Sequence, residues 1–452
     1  MADGKGWVLM SKPQFRRTLK TPQIVFMGLA WMTPMIYFTV YGVAFESANG
    51  LMTPAYLVAF LAIVFTAYSY SRMVKVYPTG GSAYTYTSKS IHPKAGFFVG
   101  WALLIDYIFS PIIAILTFGI FMHTEFPNVP IFVWIIIMNI VLAAVNIIGI
   151  RSAARISGLS VFVQIGFILI FCLLTAKDIY LNQGASAFFT LEPLLVGENS
   201  IGAIFSGAAL ICFCFLGFDA VTTMAEETID SKKTIPRAIF YIIFIAIILY
   251  TMISFLTAIA FPNFSFDNPD NAAYSLIQLV GGNLFSTFFI MVLMIATFTQ
   301  GLSSMASVTR FLYSLGEASI LPKKLFTSLH PKLRTPVFNI LFVAMISLSA
   351  VFINLDTAVL FVSFGALIGF IFVNLCVIAH YYIKERRRGL KATFFYLIFP
   401  SIGVLFIGWL LTLLDIHTLW IGGAWIVFGF VYLYLKNNIF TQNVKKLDKK
   451  LA

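Results

Sequence analysis

Long apolar runs separated by short polar stretches fill most of the 452 residues. A helix needs about 20 apolar residues to cross a hydrocarbon core. Twelve segments approach that length: 22–45, 52–73, 96–122, 131–150, 156–176, 201–227, 238–261, 284–309, 336–354, 357–382, 393–414 and 418–435. Numbered 1 to 12, they predict an all-α membrane protein of twelve transmembrane helices. The chain divides into an amino-terminal segment (1–20), five helices (21–176), a loop (177–200), five more helices (201–392), segments 11 and 12 (393–435) and a tail (436–452). The flank before segment 1 is polar and basic, so no cleavable signal peptide is expected there. The Gly- and hydroxyl-rich loop 78–94 fits a short helix lying under the bundle.

Two segments carry helix breakers in their middle. Segment 1 contains Trp31-Met-Thr33-Pro34, where the proline removes a backbone hydrogen bond. Segment 6 contains Phe213-Cys-Phe215-Leu-Gly217-Phe-Asp219, where the glycine weakens the helix. A charged group at that depth costs roughly 2.5–3.5 kcal/mol on insertion scales and so points to function. Loosened backbone is tolerated there only against protein or a water-filled cavity. The first and sixth positions match an inverted repeat of five helices, in which paired broken helices mark a midplane site.

Composition excludes an ordinary soluble domain. Residues are 60% hydrophobic and 11% charged, with mean hydropathy +0.92, against about a quarter charged in soluble domains. Of the 30 lysines and arginines, only Lys177 falls on the side opposite the termini in a twelve-helix topology. The positive-inside rule makes the basic side the cytoplasm, with both termini there, in a plasma or bacterial inner membrane. Charges bordering helices account for the net +12 without nucleic-acid binding. The four cysteines read as packing, the five histidines show no ligand pairing, and no phosphate-binding loop occurs. Neither enzyme, metal site nor cofactor is expected. The loops opposite the termini hold nine acids, Asp267 and Asp270 among them, and would gather cations.

Away from helix ends, Asp106 and Asp219 are the only ionisable residues in the twelve segments, with no cation at their depth. Such a pair suits a bound cation or proton uptake; two protonated, hydrogen-bonded acids are the alternative. Trp31, Tyr37, Tyr107, Phe213 and Phe215 flank the acids and breaks, and aromatic faces attract ammonium groups. Glu226, Glu227 and Asp230 end segment 6, where an inner gate with Lys232, Lys233 or Arg237 competes with a plain solvated helix end. The segment 1 break lacks the Gly pair whose exposed N–H groups would hold a carboxylate. That favours an amine-rich substrate without a carboxylate, unless Thr33 donates instead.

Several runs carry a family resemblance: Met27-Gly-Leu-Ala-Trp-Met-Thr-Pro-Met35, Gly81-Ser-Ala-Tyr-Thr-Tyr86, Val99-Gly-Trp101 with Asp106-Tyr107, Phe215-Leu-Gly-Phe-Asp-Ala-Val-Thr-Thr223 with Glu226-Glu-Thr228, Ala306-Ser-Val308 with Arg310, and Phe364-Gly-Ala366. Over nearly the whole chain they resemble the amino acid–polyamine–organocation (APC) superfamily, and within it the bacterial putrescine importers. The resemblance implies a leucine-transporter-like fold: a 5+5 inverted repeat with helices 1 and 6 broken, plus helices 11 and 12. It places Tyr107 as the substrate-site tyrosine, Asp219 as the acid after the break, Phe215 as the aromatic gate, and Ser304 and Gln300 facing the site. Where several proton-coupled members carry a lysine in segment 5, this chain has Gln164. Coupling through that lysine is therefore excluded.

The expected function is import of a small organic diamine, putrescine above all, driven by the proton gradient or membrane potential. An amino-acid permease or amino-acid/diamine exchanger is the alternative. The expected partners are the cationic amine, the lipid bilayer and protons as coupling ion, with the chain a monomer or homodimer.

Overall fold

The computed structural model describes residues 15–194, 200–262, 264–266, 269, 272–414 and 416–451. For residues 124, 125, 151, 356 and 436–451 it describes the backbone alone. Asp267 and Asp270, together with Lys5 and Lys12 of the amino-terminal segment, lie outside the described residues. All regular structure among the described residues is helical, apart from one bridged pair between Leu19 and Thr228.

Among the described residues ten helices are long and apolar enough to cross a membrane, and eleven if the bent first segment counts as one. The difference from twelve lies in segment 9. Its helix runs Val337–Ser347 and tightens over Leu348–Val351. At 1.5 Å per residue such a helix covers roughly 20 Å, short of a core about 30 Å thick. The loop 78–94 holds the short helix expected of it, Ser82–Ser90.

Both breaks take definite shapes. Helix Thr21–Met32 stops at Thr33, whose φ of 55° is left-handed. Ile36–Thr39 follows, and the axis then turns by 67° into Tyr41–Ser47. In segment 6, helix Ile201–Ile211 tightens over Cys212–Phe215, and Leu216 then extends. Gly217 adopts φ 120°, and a tight turn, Ala220–Met224, follows Asp219. A side chain on Gly217 would lie 2.7 Å from Trp31 Cδ1 and 2.9 Å from the Met32 nitrogen. The two breaks are therefore in direct contact, and both the space and the backbone angle require glycine.

Around the breaks the bundle is layered. Segment 3, in helix Pro93–Glu125, is the core: 78% of its apolar window is buried, against 22% for Leu390–Thr412 and 17% for Ile416–Leu435. Glycines let neighbours approach it, Gly365 pressing on Asp106 and Gly369 on Leu103. Small residues are the usual means of close packing between membrane helices. Leu159, Leu173, Leu284 and Leu405 remain exposed on the periphery, as side chains facing lipid would.

Buried amides tie helices together where no water is available. Asn374 accepts from Ser69 Oγ at 2.7 Å and donates to Thr66 Oγ1 at 3.1 Å and to the Phe370 carbonyl at 2.9 Å. Gly403 lies so close that a Cβ there would sit 2.8 Å from Asn374 Oδ1. Trp101 and Trp425 exchange indole-to-carbonyl bonds of 3.0 and 2.8 Å, which fasten the last helix to segment 3. Asn374→Ala should strand the Ser69 donor and cost about 1–3 kcal/mol. Thermal unfolding of the detergent-purified protein should show a lower midpoint, and an unchanged midpoint would remove this brace from the account.

Candidate substrate site

Asp219 is placed by its own break. Because Gly217 turns the chain, the Gly217 N–H points back at Asp219 Oδ1, at 3.4 Å. From segment 3, Tyr107 donates to Asp219 Oδ2 at 3.3 Å. Both bonds are long, and among the described residues no basic side chain pairs with Asp219 or Asp106. Asp219 is 3% exposed and Asp106 4%. Asp106, one residue before Tyr107, takes a hydroxyl bond from Ser110 at 3.4 Å. The arrangement leaves two enclosed carboxylates short of positive charge, which is the electrostatic demand of a cation.

Aromatic rings close round this centre. Trp31 meets Tyr107 edge-on at 5.5 Å between ring centres, and Tyr107 stacks on Phe311 at 4.9 Å. A cavity of about 390 Å³ leads in from the side opposite Thr18–Lys20, between Val43, Ser47, Leu360 and Leu413. It reaches Thr33, Phe213 and Gln300. Beneath it lies a pocket of about 10 Å³ against Trp31, Leu216 and Ser110, barely the volume of one water. Access therefore stops at Trp31 and Leu216, with Asp219 behind them.

The other side is sealed by charge. Arg310 reaches Glu227 with two guanidinium nitrogens, Nε to Oε2 and Nη2 to Oε1 at 3.3 Å, while Nη1 donates to the Ala306 carbonyl at 2.7 Å. The pair is 3% and 5% exposed. Thr18 and Leu19 donate main-chain N–H groups to the Glu227 carbonyl at 2.8 and 3.0 Å, and Phe15 lies over the Arg310 guanidinium. Glu226 accepts from the Gly80 N–H at 3.3 Å beside a pocket of about 190 Å³ lined by Gly81, Thr85 and Glu317.

A carboxylate-centred site closed on both sides within a bundle of apolar helices has the form of a carrier. The amino acid permease family model matches residues 23–443. The chain belongs to this family. It is 34% identical over 440 residues, 97% of each chain, to the low-affinity putrescine importer PlaP of Escherichia coli K12. It is also 25% identical over 448 residues to the branched-chain amino acid permease BcaP of Bacillus subtilis, covering 93% of each chain. A methylthioribose transporter of the same species shares 23% identity over 402 residues, 84% of this chain and 83% of the relative. The family resemblance read from the sequence therefore holds, and the chain is a multi-pass permease rather than an enzyme.

Within the permease, the residues singled out in the sequence fall into three groups. Asp219, Tyr107 and Trp31 come together, with Asp106 next to Tyr107. Thr33, Phe213 and Gln300 line the access cavity. The remainder lie elsewhere. Phe215 is fully buried against Tyr250, 5.5 Å between ring centres, so it is Phe213 that faces the cavity. Tyr37 stacks with Tyr56 and bonds Thr257. Ser304 turns its hydroxyl back to the Gly301 carbonyl at 3.2 Å, as short hydroxyls do in helices. Gln164 is fully buried and donates to Thr299 Oγ1 at 3.4 Å.

The acidic end of segment 6 is neither paired with a nearby lysine nor simply solvated, because Glu227 takes a different cation. Lys232, Lys233 and Arg237 do not pair with Glu226 or Glu227, and Lys233 instead holds Asp230 at 3.4 Å on the surface. Arg310 takes Glu227 because helix Ala272–Glu317 carries it inward beside the end of segment 6. Distance along the chain hid this partner, 83 residues away; the signal was an arginine directly after transmembrane segment 8. Removing one partner of such a buried pair costs about 3–5 kcal/mol, well above the 1.4 kcal/mol that corresponds to tenfold. A cysteine at Thr85 reports on the pocket beside Glu226, the neighbour of Glu227, since the four native cysteines are buried. Glu227→Gln should speed alkylation of Thr85→Cys more than about tenfold. The exposed-pair control Lys233→Ala should leave the rate unchanged, and equal rates in both variants would deny the latch.

Proposed function

We propose that this permease imports a small organic diamine, putrescine foremost, by alternating access around Asp219. The observation that carries the reading is a pair of enclosed carboxylates, Asp219 and Asp106, with no basic partner among the described residues. Two negative charges match a dication, and Trp31 and Tyr107 offer ring surface to a methylene chain and its ammonium ends. Similarity to a putrescine importer over 97% of the chain supports the same substrate class.

Thr33 separates this reading from that of an amino-acid permease, which the branched-chain relative keeps in view. A substrate carboxylate would need free donors at the segment 1 break. The Thr33 N–H is given to the Leu29 carbonyl at 2.7 Å and its hydroxyl to the Ala30 carbonyl at 2.9 Å. Pro34 has no N–H to offer. The break therefore favours a ligand without a carboxylate.

In the proposed cycle, the chain forms a 5+5 inverted repeat of the leucine-transporter kind, completed to twelve segments, with both termini cytoplasmic in the bacterial inner membrane. Segments 1 and 6 rock against the remaining helices, and the Arg310–Glu227 pair opens to release substrate inward. A dication entering at −100 mV gains about 2 × 2.3 kcal/mol from the field, so the potential alone can concentrate it. Protons, if coupled, use a carboxylate, because segment 5 offers Gln164 rather than a lysine.

Uptake of labelled putrescine into proteoliposomes, with and without an imposed potential or proton gradient, tests the proposal. Saturable amino-acid uptake without diamine uptake would overturn it. Asp219→Asn should lower putrescine transport about 100-fold or more, the loss of a desolvated charge contact, while size-exclusion behaviour stays that of the wild type. Asp106→Asn should raise the half-saturating concentration or shift its pH dependence; a variant with neither change would assign Asp106 to structure alone.

A further inference from the structure

Behind Asp219, on the side of the Arg310–Glu227 pair, lies a group of hydroxyls that the reading above does not use. Thr222 donates to Ser82 Oγ at 3.0 Å and to the Asp219 carbonyl at 2.7 Å. Ser82 in turn approaches the hydroxyls of Tyr70 and Tyr107. The rings of Tyr70 and Tyr86 pack edge-on, 6.2 Å apart, and both residues are fully buried. Among the described residues neither phenolic oxygen completes a hydrogen bond, although Ser82 approaches Tyr70 and Thr222 approaches Tyr86. Leaving a buried hydroxyl unpaired costs about 1–3 kcal/mol, and here two such groups lie in one cluster beside a carboxylate. Such groups call for an explanation, and an intermittent ligand supplies one.

Resting on the proposed transport of a diamine, we infer that Tyr70, Tyr86 and Ser82 form a subsite for the second ammonium group of the substrate, while Asp219 and Tyr107 hold the first. A primary ammonium brings three N–H donors and no acceptor, so it requires oxygens. The phenolic oxygens of Tyr70 and Tyr86 and the hydroxyl of Ser82 supply neutral acceptors, with the negative field of the two acids around them. In the closed arrangement the cluster is cut off from the access cavity by the Trp31–Gly217 contact. It becomes reachable when segments 1 and 6 move. The subsite thus lies between Asp219 and the pocket beside Gly81 and Glu226.

A diamine and a monoamine of equal chain length isolate this contact, because only the diamine brings a second ammonium. Equilibrium binding of labelled putrescine, with butylamine as unlabelled competitor, samples all conformations of the purified permease. Tyr70→Phe and Tyr86→Phe each remove one oxygen and keep the ring; Ser82→Ala is a third, independent probe. Putrescine affinity should fall about tenfold in the double Tyr variant, roughly the 1.4 kcal/mol of one or two lost hydrogen bonds. Butylamine affinity should change less than about twofold, which also certifies the fold. Equal losses for both amines, or no loss for either, would overturn the subsite and leave the two hydroxyls to structure or a trapped water. Putrescine binding by the wild-type protein tests the underlying reading separately; wild-type protein that binds neither amine sinks both.

Discussion

Everything in this bundle is arranged round a carboxylate that cannot be solvated. In water, Asp219 would recruit solvent; at the centre of an apolar bundle it has one N–H and one phenol, both at long range. Burying an ion without full compensation is among the most costly arrangements a protein can adopt. The break at Gly217 exists to aim that carboxylate, and the break at Thr33 exists to make room beside it. Gly365 and Gly369 of segment 10 allow that helix to close on segment 3. The proposed cation would bind such a site because binding removes its charge deficit.

The same deficit explains how the two ends differ. On the side of Thr18–Lys20, Glu227 is matched by Arg310, so that carboxylate is satisfied and serves as a closure. The opposite side is closed by rings and aliphatic groups, Trp31 and Leu216, under a largely apolar cavity. One gate is specific and electrostatic, and the other is a matter of packing. In the proposed cycle, substrate charge would meet its first fixed partner only at the centre and would separate a satisfied ion pair to leave.

Much of this was legible in the sequence because the physics is local. Apolar runs announce helices, Pro34 and Gly217 announce breaks, and an acid within a run is conspicuous. The short helix Ser82–Ser90 could likewise be read from its glycines and hydroxyls. What stayed hidden depends on contacts between distant segments. Whether Phe213 or Phe215 faces the cavity is decided by the tightening of Cys212–Phe215, which changes the rotation per residue. That Arg310, rather than a nearby lysine, meets Glu227 follows from the long helix Ala272–Glu317. The shortness of segment 9 was masked by apolar residues that continue past the end of its helix. The hydroxyl cluster of Tyr70, Tyr86 and Ser82 was hidden as well, since it forms only where helix Ser82–Ser90 folds against helix Met52–Val76.

The contact between Gly217 and Trp31 sets an unequal rule for how such a chain can diverge. Position 217 faces a backbone nitrogen as well as an indole and holds a left-handed angle, so no compensating change elsewhere lets it grow. Position 31 contributes only a side chain and is free to shrink. Descendants of this sequence that come to accept bulkier cargo should therefore do so through residue 31, with 217 fixed. Lineages would then differ in their cargo at one wall of the site and agree at the other.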